Sequence, residues 1–239
     1  MNSNLGLHYT VSGEWVSNQI QESRPDRANR QRYGLAKRVL DIMLCLALMP
    51  LALVLMAVMA LAIRLDSRGP ILFIQERVGQ GGRRFQMYKF RTLEHNSDDP
   101  ASREFMKAFV SGQIGQEEPN PDRLPYKPKA RVTRVGRILR KTSLDELPQI
   151  FNVLRGEMSL VGPRPNVPWE VEAYQEWHKE RLEVLPGITG LAQVRGRSSI
   201  PFDVIVSHDI EYIRQQSLKL DVQILWRTVR CVLSRRGSG

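Results

Sequence analysis

Between residues 39 and 63 the alternation of apolar and polar positions disappears. The stretch VLDIMLCLALMPLALVLMAVMALAI carries no charge over the 22 residues from Ile42 to Ile63, and apolar side chains fall on every side of a helical projection. A straight helix of that length reaches roughly 33 Å, enough for a hydrocarbon core of about 30 Å. Two details complicate a simple crossing. Pro50 sits near the middle, where it removes a backbone donor and crowds the preceding turn. Cations flank both ends, with Arg32, Lys37 and Arg38 before and Arg64 and Arg68 after. Positive residues favour the cytoplasmic side, and here both ends qualify. A helix that breaks at Pro50 and returns to the same face satisfies both details; a bitopic helix with a proline kink satisfies the length alone. Asp41 is costly in lipid, so it is expected at the interface, paired with Lys37 or Arg38.

After residue 64 the pattern shortens into runs punctuated by turn residues. GPILFIQERVGQGGRRFQMYKFRTL predicts two strands, 71–77 and 84–91, joined by a Gly-rich turn. Helical spacing follows at 101–110, 133–141, 145–154, 168–183, 203–215 and 220–234. Residues 94–130 are rich in Asp, Pro, Ser and Glu and read mostly as loop. In the last helix, Leu220, Ile224, Leu225, Val229 and Leu233 form one apolar row, and Trp226, Arg227 and Arg230 give it an aromatic, basic edge. That helix suits either core packing or the headgroup region. The expected fold class is a helix-rich α+β domain on a membrane anchor. Its divisions are a polar arm at 1–34, the apolar segment at 35–65, the folded domain at 66–234 and a tail at 235–239.

Charge narrows the partners. The 239 residues include 35 Lys and Arg against 25 Asp and Glu, a net +10. Such a balance favours anions: nucleic acid, acidic headgroups or phosphorylated small molecules. Single-stranded nucleic acid needs stacking aromatics among the basic residues. Aromatics are 7% of the chain and do not cluster with the basic run, so no nucleic-acid partner is expected. Two cysteines, Cys45 and Cys231, give neither a disulfide framework nor a metal spacing. Residues 1–34 lack the apolar core of a secretory signal.

The stretch TSLDELPQ, residues 142–149, sets Asp145 and Glu146 side by side behind Arg134, Arg137, Arg140 and Lys141. Ser143 and Glu146 have capping-box spacing, and Pro148 suits a first turn, so the acids are expected at a helix N-terminus. Residues 122–155 hold nine Lys or Arg against three Asp or Glu. Carboxylates among cations stay ionised, can bind a divalent metal, and can attack phosphorus. Cations beside them would hold phosphate oxygens. YKFRT brings Lys89 and Arg91 to a strand end, and GPRP fixes Arg164 between two prolines.

Taken in order, KRVLD, the Pro50 break, GPILFIQERVGQGGRRFQMYKFRTL, RVTRVGRILRKTSLDELPQIFNVLRGEMSLVGPRP, PGITGLAQVRGR, DIEYI and LKLDVQIL resemble the bacterial sugar transferases, the monotopic phosphoglycosyl transferases. The match runs from about Lys37 to Leu233. The resemblance implies transfer of a phospho-sugar from a UDP-sugar to undecaprenyl phosphate, with loss of UMP, at the cytoplasmic face of the bacterial inner membrane. This would start exopolysaccharide, capsule, O-antigen or glycoconjugate assembly. It implies Asp145 as the nucleophile, Glu146 as a ligand with Asp145 for Mg²⁺, and Pro50 as the break of a re-entrant hairpin. Lys89, Arg91, Arg140, Arg164 and Arg197 are the implied phosphate and substrate contacts. A homo-oligomer is left open. A non-catalytic scaffold in a glycan assembly complex is the other function class, and the intact acid pair argues against it. Larger relatives place transmembrane helices ahead of this domain, so the polar arm here implies the minimal catalytic form. Lys129 and Ala130 stand where the family often has Asp-Pro, and that departure bears on sugar choice rather than on reaction type.

Overall fold

A computed structural model describes residues 27–94, 100–111, 132–195 and 200–233. Helix α1, Arg27–Asp66, is 40 residues long, and its most apolar 18-residue window within Gln31–Asp66 has a mean hydropathy of 2.8, so it is long and apolar enough to cross a membrane. It begins inside the stretch expected to be a solvated arm. The helical backbone also continues through Pro50, so the expected interruption does not divide it into two helices. Pro50 simply forgoes the one bond its missing N–H would have made to the turn before it.

The two ends of α1 are fastened to the same folded domain. Near the N-terminal end Tyr33 and Lys37 both donate to Asp221, at 2.8 and 3.0 Å, and Arg38 donates to the carbonyls of Val153 and Leu154. Asp41 accepts from Ser159 Oγ at 2.7 Å and from the Leu160 amide at 3.3 Å, not from Lys37 or Arg38 as expected. The reason is competition: Arg38 is drawn to the free carbonyls at a helix C-terminus, and Lys37 meets the buried Asp221. At the other end Asp66 accepts from the Val135 amide at 3.0 Å. Between these ties Cys45 and Ala52 pack into the core with Phe85, Met87, Ile150, Val153 and Met158. Cys45 is thus the small hydrophobe its sequence context indicates. On the opposite side Leu35, Val39, Met43, Leu46, Val54, Val58, Leu61 and Leu65 stay exposed. Their three- and four-residue steps, with one eight-residue step across Pro50, make an apolar stripe along the helix.

The domain is the expected helix-rich α+β arrangement. Strands β1, Leu72–Val78, and β2, Arg84–Phe90, form an antiparallel hairpin with Leu72 opposite Phe90 and Val78 opposite Arg84. Its tight turn places Gly81 at φ 64° and Gly82 at φ 78°, which glycine adopts without strain. Helix α2, Pro100–Val110, follows, and α3, Arg134–Thr142, leads into a 3-10 turn, Leu144–Gln149, and then α4, Ile150–Arg155.

A parallel pair, β3 at Ser159–Val161 and β4 at Gly187–Thr189, was not legible in the sequence. Each strand has only three residues, too few for a period-2 signal. Between them lie α5, Pro168–Glu172, and a 3-10 helix, Glu176–Glu183, where one helix over 168–183 was expected. Helix α6 is Leu191–Arg195, α7 is Phe202–Arg214 and α8 is Leu218–Leu233. Helix α8 buries Ile224 and Asp221 but exposes Leu218, Val222, Trp226 and Val229, so its core contact is a narrow edge of the expected row.

Candidate active site

Ser143 turns the chain. It closes α3 with a left-handed backbone (φ 56°, ψ 17°), uncommon for a residue with a Cβ, and its amide bonds the Arg140 carbonyl. The acids therefore start a 3-10 turn rather than the expected α-helix, and the Ser143 side chain makes no cap bond. The expected capping box does not form because Glu146 has stronger partners. Glu146 Oε1 accepts from Lys89 Nζ at 2.8 Å and from Arg164 Nη1 at 3.0 Å. Lys89 comes from β2, Glu146 from the turn after α3, and Arg164 from the loop after β3. Three segments distant in sequence thus converge on one carboxylate.

The two adjacent acids are treated unequally. Burial would raise the Glu146 carboxyl, but Arg164 and Lys89 overrule it and hold it at about 2. Burial and the negative charge of Glu146 push Asp145 above its ordinary value, against the pull of Lys89 and Arg164. No ion pair at bonding distance involves Asp145 among the described residues. Lys89 is lowered by burial and by the Arg164 charge, while Glu146 works the other way. Arg164 is raised chiefly by Glu146. One carboxylate is locked to two cations; the other is less hindered and more basic, the property a nucleophile needs.

The acid pair opens into a cavity of about 1630 Å³. Lys89, Arg91, Arg140 and Arg164 line it, so four of the five expected anion contacts border that space with Asp145 and Glu146. Its walls also include Leu48 and Ala52 of α1 and Leu72, Phe73 and Ile74 of β1. Charged chemistry and an apolar wall that belongs to the membrane-grade helix are therefore continuous.

Arg91 also borders the cavity, but its guanidinium is committed elsewhere. It donates to the carbonyls of Arg68 and Ser67 at 2.7 and 2.8 Å and to Ser67 Oγ at 2.8 Å, securing the chain as it leaves α1. Arg197 lies outside the described residues. No cluster of three His, Cys, Asp or Glu suited to a metal occurs among the described residues. Two adjacent carboxylates nonetheless fit a hard cation of the Mg²⁺ type. That ion keeps several waters and shares its protein carboxylates with substrate phosphates, so it needs no all-protein cage. Sequence reasoning missed Arg77 and Arg181, which hold the Arg164 loop. Neither lies in a local motif that marks it.

The protein belongs to a class defined by a carboxylate pair beside cations, set against a membrane-grade helix. A family profile named "Bacterial sugar transferase" matches residues 32–235, and the chain belongs to that family. It is 38% identical over 98% of its length to the undecaprenyl-phosphate galactose phosphotransferase of Salmonella typhimurium, of which it covers 47%. It is 42% identical over 86% of its length to the UDP-glucose:undecaprenyl-phosphate glucose-1-phosphate transferase of Caulobacter vibrioides, covering 72% of that protein. The exopolysaccharide production protein ExoY of Sinorhizobium fredii is 39% identical over 86% of this chain and is covered over 88% of its own length. The chain spans about half the length of several other curated relatives that it matches.

Proposed function

We propose that this protein transfers a phospho-sugar from a UDP-sugar to undecaprenyl phosphate and releases UMP, as the first membrane step of a bacterial glycan pathway. The observation that carries this reading is the unequal acid pair in a cavity that joins cationic and apolar walls. Asp145 Oδ attacks the phosphorus that bears the sugar, and the bond from that phosphorus to the UMP oxygen breaks. The electron pair leaves with UMP, and an aspartyl phospho-sugar remains. A phosphate oxygen of undecaprenyl phosphate then attacks the same phosphorus and expels the Asp145 carboxylate. Lys89 and Arg164 fix Glu146 and offset charge on the phosphoryl oxygens. Arg140, exposed at the cavity edge, supplies a further cation. A bound Mg²⁺, held by Asp145 and Glu146, would neutralise the donor diphosphate.

The apolar wall gives the acceptor a path from lipid to the acid pair. Both ends of α1 are fastened to one polar domain, and a polar domain stays on one side of a bilayer. We therefore read α1 as lying in the cytoplasmic leaflet with both ends on the cytoplasmic face and its exposed stripe in lipid. Single cysteines at Gln31 and Arg68, in a background without Cys45 and Cys231, should both resist an impermeant thiol reagent outside intact cells. Labelling of Gln31→Cys from outside would establish a bitopic helix.

The decisive test of the chemistry is Asp145→Asn. It should retain the wild-type melting temperature but lose turnover by more than about a thousandfold, since an amide offers no anionic nucleophile. It should also fail to exchange labelled UMP with donor when no lipid acceptor is present. Wild-type exchange in this variant would rule out the covalent route.

A further inference from the structure

The loop 162–166 delivers Arg164 to Glu146; its Gly162 amide still bonds the Thr189 carbonyl at 2.8 Å, and after that the loop leaves the β3–β4 pairing. Pro163 and Pro165 offer no amide to a neighbouring carbonyl, and the loop's carbonyls find their donors elsewhere in the chain. Four consecutive carbonyls do so. That of Pro163 accepts from the Gly187 amide at 2.9 Å, and that of Asn166 from the Val78 amide at 2.9 Å. The two in the middle are taken by arginine side chains. Arg181 Nη2 donates to the Arg164 carbonyl at 3.1 Å, and Arg77 Nη1 donates to the Pro165 carbonyl at 3.0 Å.

Arg181 does more than cap one group. Its Nη1 donates to Asn166 Oδ1 and to Tyr174 Oη, both at 2.9 Å. Its Nη2 pairs with Asp209 at 2.6 Å. Arg181 and Asp209 are 4% and 1% exposed, so this guanidinium has no water to turn to. Arg77 spends its other terminal nitrogen on Gln75 Oε1 at 2.6 Å. Neither arginine bonds Asp145 or Glu146; both face the backbone of the loop whose side chain does.

We propose that Arg181 and Arg77 are positioning residues that clamp the Arg164–Asn166 backbone so that the Arg164 guanidinium meets Glu146 and the transferred phosphate. The inference rests on the catalytic reading above, in which Arg164 stabilises phosphoryl charge. A planar fork can serve the Arg164 carbonyl, Asn166 and Asp209 together; a lysine at 181 keeps the charge for Asp209 but reaches fewer of them. A small displacement of a charged group in an active site is felt mainly in the transition state.

The test is a double-mutant cycle on the full chain in lipid nanodiscs, assayed well below every variant's melting temperature. Arg181→Lys should lower kcat about tenfold and leave the donor KM within about threefold. Arg164→Ala should lose at least as much, and Arg164→Ala/Arg181→Lys should be no worse than about twofold below Arg164→Ala alone. If Arg181→Lys does not fold, Arg77→Lys in the same cycle must show the same non-additivity. Losses that multiply in the double variant, or a wild-type kcat in both lysine variants, overturn the clamp while leaving the catalytic reading intact. A wild-type rate in Arg164→Ala overturns both the clamp and the role of Arg164. UMP exchange in Asp145→Asn tests the catalytic reading separately.

Discussion

Two carboxylate–guanidinium assemblies meet at Arg164. Its side chain serves the acid pair, and its backbone is held by the Arg181–Asp209 pair. At the first, side-chain exposures are 12% for Lys89, 18% for Glu146 and 45% for Arg164; at the second they are 3% and 2%. Glu146 has two cations and is held at about 2, whereas Asp209 has one and burial pushes it up to about 6. One cation offsets the loss of water incompletely; two more than offset it. The buried pair is closed and one-to-one, as a structural tie should be. The open site gathers more positive charge than one carboxylate requires and leaves Asp145 beside it unpaired, an arrangement that suits a visiting anion.

The contrast breaks first in activity. Glu146→Gln should reduce kcat/KM by at least about a hundredfold through lost electrostatic order around the phosphate. It should cost less stability than Asp209→Ala, because half-exposed Arg164 can turn to water and the amide oxygen of Gln can still accept from Lys89. Asp209→Ala should do the reverse in kind, costing about 3–5 kcal/mol by stranding a buried arginine. Thermal melts and UMP release on the same preparations check both. Equal stability losses in the two variants would erase the distinction between the assemblies.

The second test uses pH. Asp145 must be ionised to attack, and its carboxyl is raised by burial and by Glu146. The acid limb of kcat/KM, which reports the enzyme before donor and Mg²⁺ bind, should therefore lie above the ordinary aspartate range, while Glu146, held at about 2, contributes nothing to that limb. Glu146→Gln removes the neighbouring negative charge, so the residual acid limb should move to lower pH. A limb that moves up, or stays, would assign the proton to another group. Exhaustive EDTA should abolish turnover and added Mg²⁺ restore it, with the binding of UMP alone also weakened in EDTA.

The residues that gather at the candidate site were more legible in the sequence than their setting. The acid pair, Lys89, Arg140 and Arg164 could be found because each sits in a short run of unusual composition. The β1–β2 hairpin was legible from its Gly-rich turn. The partners of Asp41, the roles of Arg91 and Arg181, and the parallel strands β3 and β4 were not. Each depends on which distant segment arrives opposite, and a cation in sequence looks the same whether it will hold a phosphate or a carbonyl. Ser143 is the sharpest case. Its capping-box spacing is real, yet a left-handed turn and two cations for Glu146 outweigh the cap.

Arg91 and Arg140 give the smallest expected effect and the finest test. Both border the cavity, and both were expected to contact phosphate. Arg140 is exposed there, whereas Arg91 is buried with its terminal nitrogens on Ser67 and Arg68. Arg140→Ala should lower kcat/KM by about tenfold, the order of one charge-assisted contact to a transition-state oxygen. Arg91→Lys should keep kcat within about threefold but lower stability by about 1–3 kcal/mol, since a lysine cannot satisfy both carbonyls and the hydroxyl. The loss should appear as easier release of the C-terminal end of α1, read by faster amide exchange at residues 64–69. If Arg91→Lys instead loses activity as Arg140→Ala does, with unchanged exchange at 64–69, then Arg91 leaves the Ser67 turn to reach the substrate, and its anchoring role is wrong.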